Sequence, residues 1–136
     1  MGILGEPDAE LVDLLGIIEE IQQRARRPIC RGAAGAEIFA AAHELVDVSP
    51  HRAYLDFMAH GMGLVSHEAP RLTSNGPVPY EGYDATRPLE ADMVISIETT
   101  MVHPRRGFIK LEDTVAVTLE GCEGFGDKGR GWNRAN

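Results

Sequence analysis

Met93-Val94-Ile95-Ser96-Ile97-Glu98-Thr99-Thr100-Met101, the break Pro104-Arg105-Arg106-Gly107, and the return run Phe108-Ile109-Lys110-Leu111-Glu112-Asp113-Thr114-Val115-Ala116-Val117-Thr118-Leu119 decide the fold class. Both runs are rich in Val, Ile and Thr, and a Pro/Gly turn separates them, which is the pattern of two strands joined as a hairpin. Antiparallel neighbours face each other across the ladder, so Glu98 and Glu112 are expected opposite one another. A carboxylate inside such an apolar run is costly unless it is paired or bound to a cation. Lys110 is the ordinary salt-bridge candidate for Glu112.

Upstream the period changes from two to about 3.6. Glu6-Pro7-Asp8 puts a proline and acids where a helix begins, and Leu11, Leu14, Leu15, Ile18 and Ile21 form one apolar stripe. Asp13, Glu19, Glu20, Gln22 and Gln23 are assigned to the polar face, and Pro28 ends the helix. Arg24, Arg26 and Arg27 close it, where cations offset the negative end of the helix dipole. After a turn at Gly32–Gly35, a second helix points Ile38, Ala41, Ala42 and Leu45 inward and stops before Pro50. Two helices followed by antiparallel strands make an α+β chain. Residues 70–90, with Pro70, Asn75-Gly76, Pro77, Pro79 and Pro88, read as loop, and the glycine-rich stretch after Gly121 as a loosely ending tail.

Between helices and hairpin lies His60-Gly61-Met62-Gly63-Leu64-Val65-Ser66-His67-Glu68-Ala69-Pro70-Arg71. Its glycines favour extended backbone and close approach over helix. His60 and His67 are an odd number of residues apart, so a regular strand would face them oppositely; a bend near Gly61 or Gly63 is needed to bring both to one cavity. His67-Glu68 does not start a zinc-binding HExxH helix, because position 71 is Arg and Pro70 would break it. His43, His51 and His103 lack such surroundings and are read as ordinary core or surface residues. His60 with Glu98 and Glu112 offers one imidazole and two carboxylates, a set suited to a hard or borderline divalent cation that activates water.

A chain of 136 residues accommodates one domain with a real core. Its formal charge of −8 argues against nucleic acid as a partner, and no run approaches the length needed to cross a bilayer. Cys30 and Cys122 are too sparse for a disulfide framework, so free thiols in a reducing, cytoplasmic setting are expected.

Taken in order, His60-Gly61-Met62-Gly63-Leu64, His67-Glu68-Ala69-Pro70-Arg71, Met93-Val94-Ile95-Ser96-Ile97-Glu98, and Leu111-Glu112-Asp113-Thr114 with Gly121-Cys122-Glu123 resemble the C-terminal half of the pita-bread metallopeptidases. That family includes methionine aminopeptidase, aminopeptidase P, prolidase and creatinase, and the resemblance covers roughly residues 5–123. It implies two helices packed on a curved antiparallel sheet over residues 1–123, with 124–136 as a glycine-rich tail. It further implies that His60 and Glu98 bind one metal, that Glu112 bridges two, and that His67 steadies the substrate carbonyl and tetrahedral intermediate. Arg71 matches the arginine that prolidase-type members use for a dipeptide's terminal carboxylate, a role suited to its planar fork. The implied activity is hydrolysis of Xaa-Pro peptide bonds by metal-activated water, with manganese, cobalt, zinc or iron as the ion.

The chain departs from the family in ways that matter. The family draws two aspartate ligands from an upstream hairpin, and none of Asp8, Asp13, Asp47 or Asp56 matches them. Two divalent cations carry about +4, against about −2 from Glu98 and Glu112, so a stable dinuclear site is not expected from this chain alone. Thr99 stands where proline commonly follows the glutamate, Ala59 where glycine precedes the histidine, and Lys110 where arginine is common. The expectation is a piece of a longer enzyme or a half-domain that self-associates, since the family's halves are related by pseudo-twofold symmetry. The alternatives are a non-catalytic peptide- or protein-binding module, and creatinase-like or lyase chemistry on the same scaffold.

Overall fold

The computed structural model describes residues 1–74, 81–126 and 128–135; the expected turn at Asn75-Gly76, with Pro77 and Pro79, lies outside them. Helix α1 spans Ala9–Arg26 and α2 spans Gly35–Val46. A sheet in the order β2-β3-β4-β5 follows, from β2 (Leu55–Gly61), β3 (Val94–His103), β4 (Gly107–Val117) and β5 (Cys122–Phe125), with every neighbour antiparallel. A short parallel pair joins β1 (Gly2–Leu4) to β6 (Asn133–Ala135).

Asp8 starts α1 by accepting the Leu11 N–H over 3.0 Å, a cap that contributes about 1 kcal/mol. Arg106, in the hairpin loop, pairs with both Asp8 and Glu10 at 2.8 Å and so ties the far end of the sheet to the start of the helix. The apolar stripe is as expected: Leu14, Leu15, Ile18 and Ile21 are all buried. Leu14, Leu15 and Ile18 pack on Met101, Ile109 and Leu111, while Ile21 joins Ile38, Ala42, Phe57, Ile95, Ile97 and Val115 in a second cluster. In α2, Val46 is buried, and Ala41 and Leu45 are half-buried.

Two expectations are overturned here. Gln22 is not on the polar face of α1; it is fully buried. Its amide nitrogen donates to the Ile97 carbonyl at 2.7 Å and to Asp113 at 3.2 Å, and its oxygen accepts from Thr99 at 2.6 Å. A primary amide with these partners is tolerated in a core. Nor does the tail end loosely: β5 extends the sheet, Trp132 Nε1 donates to the Leu11 carbonyl at 3.0 Å, and Arg130 pairs with Glu19 and Asp113.

Strand alternation divides the sheet into two faces. Ile95, Ile97, Thr99 and Met101 of β3, with Ile109, Leu111, Asp113, Val115 and Val117 of β4, are buried on the helix side. The residues between them point away from the helices. The pairing register aligns them in rows: His60–Ser96–Thr114, Met58–Glu98–Glu112 and Asp56–Thr100–Lys110. The two strand glutamates, His60 and Lys110 therefore share the face the helices leave uncovered, while Asp113 lies on the helix side.

Candidate metal centre

The β3–β4 hairpin fixes the two glutamates. His103 pairs with Gly107, whose φ of 77° lets the chain reverse after Pro104-Arg105-Arg106, and counting back along the ladder places Glu98 opposite Glu112. The expected juxtaposition is present. Glu98 has 13% of its side chain exposed, but Glu112 has 37%, so the expectation of a buried second carboxylate is corrected. Glu112 lies on the uncovered face, and solvent meets part of its cost.

His60 ends β2 at 1% exposure. Beyond it the strand stops at Gly61, and residues 62–67 loop back so that Glu68 N–H donates to the Gly61 carbonyl at 3.1 Å and Gly61 N–H to the Pro70 carbonyl at 2.9 Å. This return is the bend that the odd spacing demands. It lays the His67 ring on the His60 ring, with centroids 3.9 Å apart and planes 16° from parallel. Gly61 is indispensable, because a Cβ there would collide with the backbone of Ala69 and Pro70.

The His60 ring is held from both sides. Nδ1 lies 3.0 Å from the Gly61 carbonyl and Nε2 lies 2.9 Å from Glu98 Oε1. Burial alone would lower its pKa, but the Glu98 contact and the Gly61 carbonyl outweigh burial and raise it. Glu98 moves the other way, to about 2, chiefly through the His60 contact, with burial opposing and Lys110 assisting. Lys110 reaches both carboxylates: it is in close contact with Glu98 Oε2 and 3.0 Å from Glu112 Oε2. The remaining Glu112 oxygen accepts from Ser96 Oγ at 2.8 Å. Burial would lower the Lys110 pKa, and the two carboxylates raise it.

His60, His67 and Glu98 offer ligand atoms all within 4.8 Å of one another. With Nδ1 donating to a carbonyl, Nε2 is left aimed at the Glu98 oxygen, and the proton between them is what a cation would replace. The donor chemistry therefore fits a divalent ion. Among the expected site residues, His60 and Glu98 touch and His67 joins them, while Glu112 stands across the ladder with Lys110 against it. Arg71 is positioned separately, its guanidinium carbon 5.5 Å from the Tyr83 ring centre and its N–H donating to Asp84 at 2.8 Å. Ser96 was not singled out from sequence, although its place two residues before Glu98 puts it on the same face. Tyr83, embedded in a proline-rich loop, gave no periodic signal.

Residues 1–119 match Metallopeptidase family M24. The chain is 30% identical over 122 residues to the Xaa-Pro dipeptidase of Pyrococcus furiosus, covering 89% of this chain and 32% of that relative. Over 120 residues it is 29% identical to the probable dipeptidase PepE of Mycobacterium tuberculosis, with 88% and 30% covered. The crystal structure of X-Pro aminopeptidase from Thermotoga maritima superimposes with a TM-score of 0.80 at 23% identity, over 97% of this chain and 35% of that one. Xaa-Pro dipeptidase from Bacillus anthracis gives 0.77 at 27% identity, again over 97% and 35%. The chain spans about a third of the length of these relatives, and its two helices and four-stranded sheet are the C-terminal half of the pita-bread fold. The chain belongs to metallopeptidase family M24.

Proposed function

We propose that this chain supplies the C-terminal share of a metal-dependent active site that hydrolyses Xaa-Pro peptide bonds. The observation that carries the reading is the His60–Glu98 contact, with Glu112 in register beside Glu98. Relatives named Xaa-Pro dipeptidase support the substrate class. In this reading His60, Glu98 and Glu112 hold the ion or ions (manganese, cobalt, zinc or iron), two in a complete site. A bound divalent cation would polarise the scissile carbonyl and acidify water. His67, half-buried and stacked on His60, would in this reading donate a hydrogen bond to the substrate carbonyl and to the tetrahedral intermediate. Arg71, backed by Tyr83, pairs with the terminal carboxylate of the peptide.

The chain alone carries three of the ligands and is incomplete as a catalyst. It works in association with a second segment of the pita-bread fold or as a homodimer, in the cytoplasm. Among the described residues, no helix is long and apolar enough to cross a membrane. The test is proline release from Xaa-Pro dipeptides by the chain alone, and by the chain fused behind the part of the Pyrococcus furiosus relative that it does not span. Activity in the fusion that is lost in Glu98→Gln supports the reading, and no proline release from either form refutes it. A second reading, a peptide-binding module without catalysis, draws on Lys110, which already neutralises both glutamates. Dipeptide binding without cleavage in the fusion would favour it.

A further inference from the structure

Arg71 lies on irregular chain, where no strand ladder fixes it, and a neighbouring segment holds it instead. Its backbone N–H donates to Asp84 Oδ2 at 2.8 Å, and the Asp84 N–H donates back to the Arg71 carbonyl at 3.0 Å. Asp84 is itself steadied by Arg87, which donates to its other oxygen at 2.9 Å. Two residues earlier, Gly82 runs so close to the Thr73 backbone that a Cβ there would come within 2.9 Å of the Thr73 carbonyl carbon. Tyr83 stands between these two anchors. Its ring centre is 5.5 Å from the Arg71 guanidinium carbon, and 61% of the residue is exposed. The unit is joined to the His60 end of β2, because the carbonyl of Pro70, just before Arg71, accepts from Gly61 N–H at 2.9 Å.

We propose that Tyr83 is the residue that reads the proline ring of the substrate, and that Asp84 is the positioning residue that keeps Arg71 and Tyr83 side by side. The inference rests on the reading above for the terminal carboxylate at Arg71; it adds what recognises the group next to that carboxylate.

Geometry and chemistry carry it together. A carboxylate paired with the guanidinium lies about 2.8 Å from its nitrogens. In a C-terminal proline, the carbon bearing that carboxylate is itself a member of the pyrrolidine ring. The ring therefore comes within reach of an aromatic side chain 5.5 Å from the same guanidinium carbon. Pyrrolidine is apolar and, in an Xaa-Pro bond, has no N–H, so a hydrogen bond to that nitrogen cannot identify it. A rigid aromatic face can, because it supplies contact area at little conformational cost. A single exposed tyrosine is ordinary on a protein surface. This one is fixed between two backbone anchors and beside a cation, which makes it a wall.

The experiment is an NMR titration of the full chain with glycyl-proline, glycyl-prolinamide and glycylglycine, following the Arg71 Nε–H and Tyr83 ring signals. Glycyl-proline is expected to shift both. Glycyl-prolinamide, which lacks the carboxylate, should bind about tenfold more weakly. Glycylglycine, which lacks the ring, should bind about threefold more weakly. Tyr83→Ala should abolish the preference for proline over glycine and keep that for carboxylate over amide, whereas Tyr83→Phe should retain both. Asp84→Ala should weaken glycyl-proline binding about tenfold. Asp84→Asn, which can still accept from the Arg71 N–H, should restore most of it. Glu123→Gln, an exposed carboxylate on β5, is the neutral comparison. Thermal melts establish that each variant is folded, and if Asp84→Ala is not, Asp84→Asn and the Tyr83 pair still decide. No response to glycyl-proline at Arg71 and Tyr83, equal binding of glycyl-proline and glycylglycine, or a proline preference that survives Tyr83→Ala would overturn the proposal. So would unchanged binding in a folded Asp84→Ala. The titration involves no cleavage, so its failure leaves hydrolysis to be decided by proline release.

Discussion

Thr99 donates its hydroxyl hydrogen to Gln22 Oε1 over 2.6 Å in the fully buried layer between α1 and β3. Thr99 follows the candidate ligand Glu98 directly, and Gln22 also donates to the Ile97 carbonyl on the other side of it. The helix thus grips β3 on both sides of Glu98, from behind the sheet. Removing the hydroxyl in the near-isosteric Thr99→Val leaves a buried amide oxygen without its partner, which costs about 1–3 kcal/mol. Gln22→Leu orphans the Thr99 hydroxyl in turn and removes one donor from Asp113, which keeps Arg130. The double variant should cost less than the sum of the singles, because it removes both ends of the contact. Urea denaturation of the four proteins measures this; strict additivity would show that the contact is not a coupled pair.

Gly61 and Gly63 make a matched comparison. A Cβ on Gly61 would strike the Ala69 and Pro70 backbone, which is pinned by the Gly61–Pro70 hydrogen bond of 2.9 Å. A Cβ on Gly63 would meet only the end of the Glu68 side chain, which can swing away. Gly61→Ala should therefore destabilise by at least the upper end of the ~1–3 kcal/mol typical of overpacking. It should also separate the two histidine rings. Gly63→Ala should stay within about 1 kcal/mol. Thermal melts, with imidazole chemical shifts of His60 and His67, check both; equal sensitivity at the two glycines would contradict the close approach.

The residues of this site differ in how far they could be read from sequence, for physical reasons. Glu98 and Glu112 were legible together because the short Pro104–Gly107 turn leaves one sensible register. The partnership of His60 and His67 was legible as a requirement for a bend, because parity along a strand is strict. The burial of Gln22 was not legible: its partners lie 75 to 91 residues away, and periodicity alone assigns an amide to water. The exposure of Glu112 was hidden for a related reason. Alternation says which face a side chain takes, but not whether anything covers that face. β1 and β6, three residues each, are too short to show any alternation.

The tail was misread because its anchors are single side chains. Arg130 pairs with Asp113, which is 8% exposed, and with Glu19. Burial works against the charged guanidinium, but the two carboxylates more than compensate and raise its pKa. Arg130→Met should remove about 2 kcal/mol, less than a fully buried pair because the guanidinium keeps some contact with water. It should also expose the segment after Phe125 to limited proteolysis. A variant as resistant as the parent would mean that Trp132 and the β1–β6 pair hold the tail unaided.

Acid and base should each weaken the fold through the same contact. Glu98 falls from an ordinary 4.5 to about 2, so its contribution is present above pH 4.5 and is lost as pH drops from there toward 2. His60 is raised above its ordinary 6.5, so its contribution is complete below pH 6.5 and disappears as pH rises through the folded value. The contact is intact between those limits, and metal-free stability should peak between about pH 4.5 and 6.5 from this pair. The acid limb is worth on the order of 3 kcal/mol at most, shared with Lys110. Glu98→Gln should flatten both limbs, since a neutral amide neither gains from an imidazolium nor titrates. Urea midpoints measured from pH 3 to 9 on metal-free protein give the curve, and an unaltered profile in the variant would assign the pH dependence elsewhere. Adding Zn²⁺ should then extend stability on the alkaline side, because a bound cation needs the neutral imidazole that high pH provides.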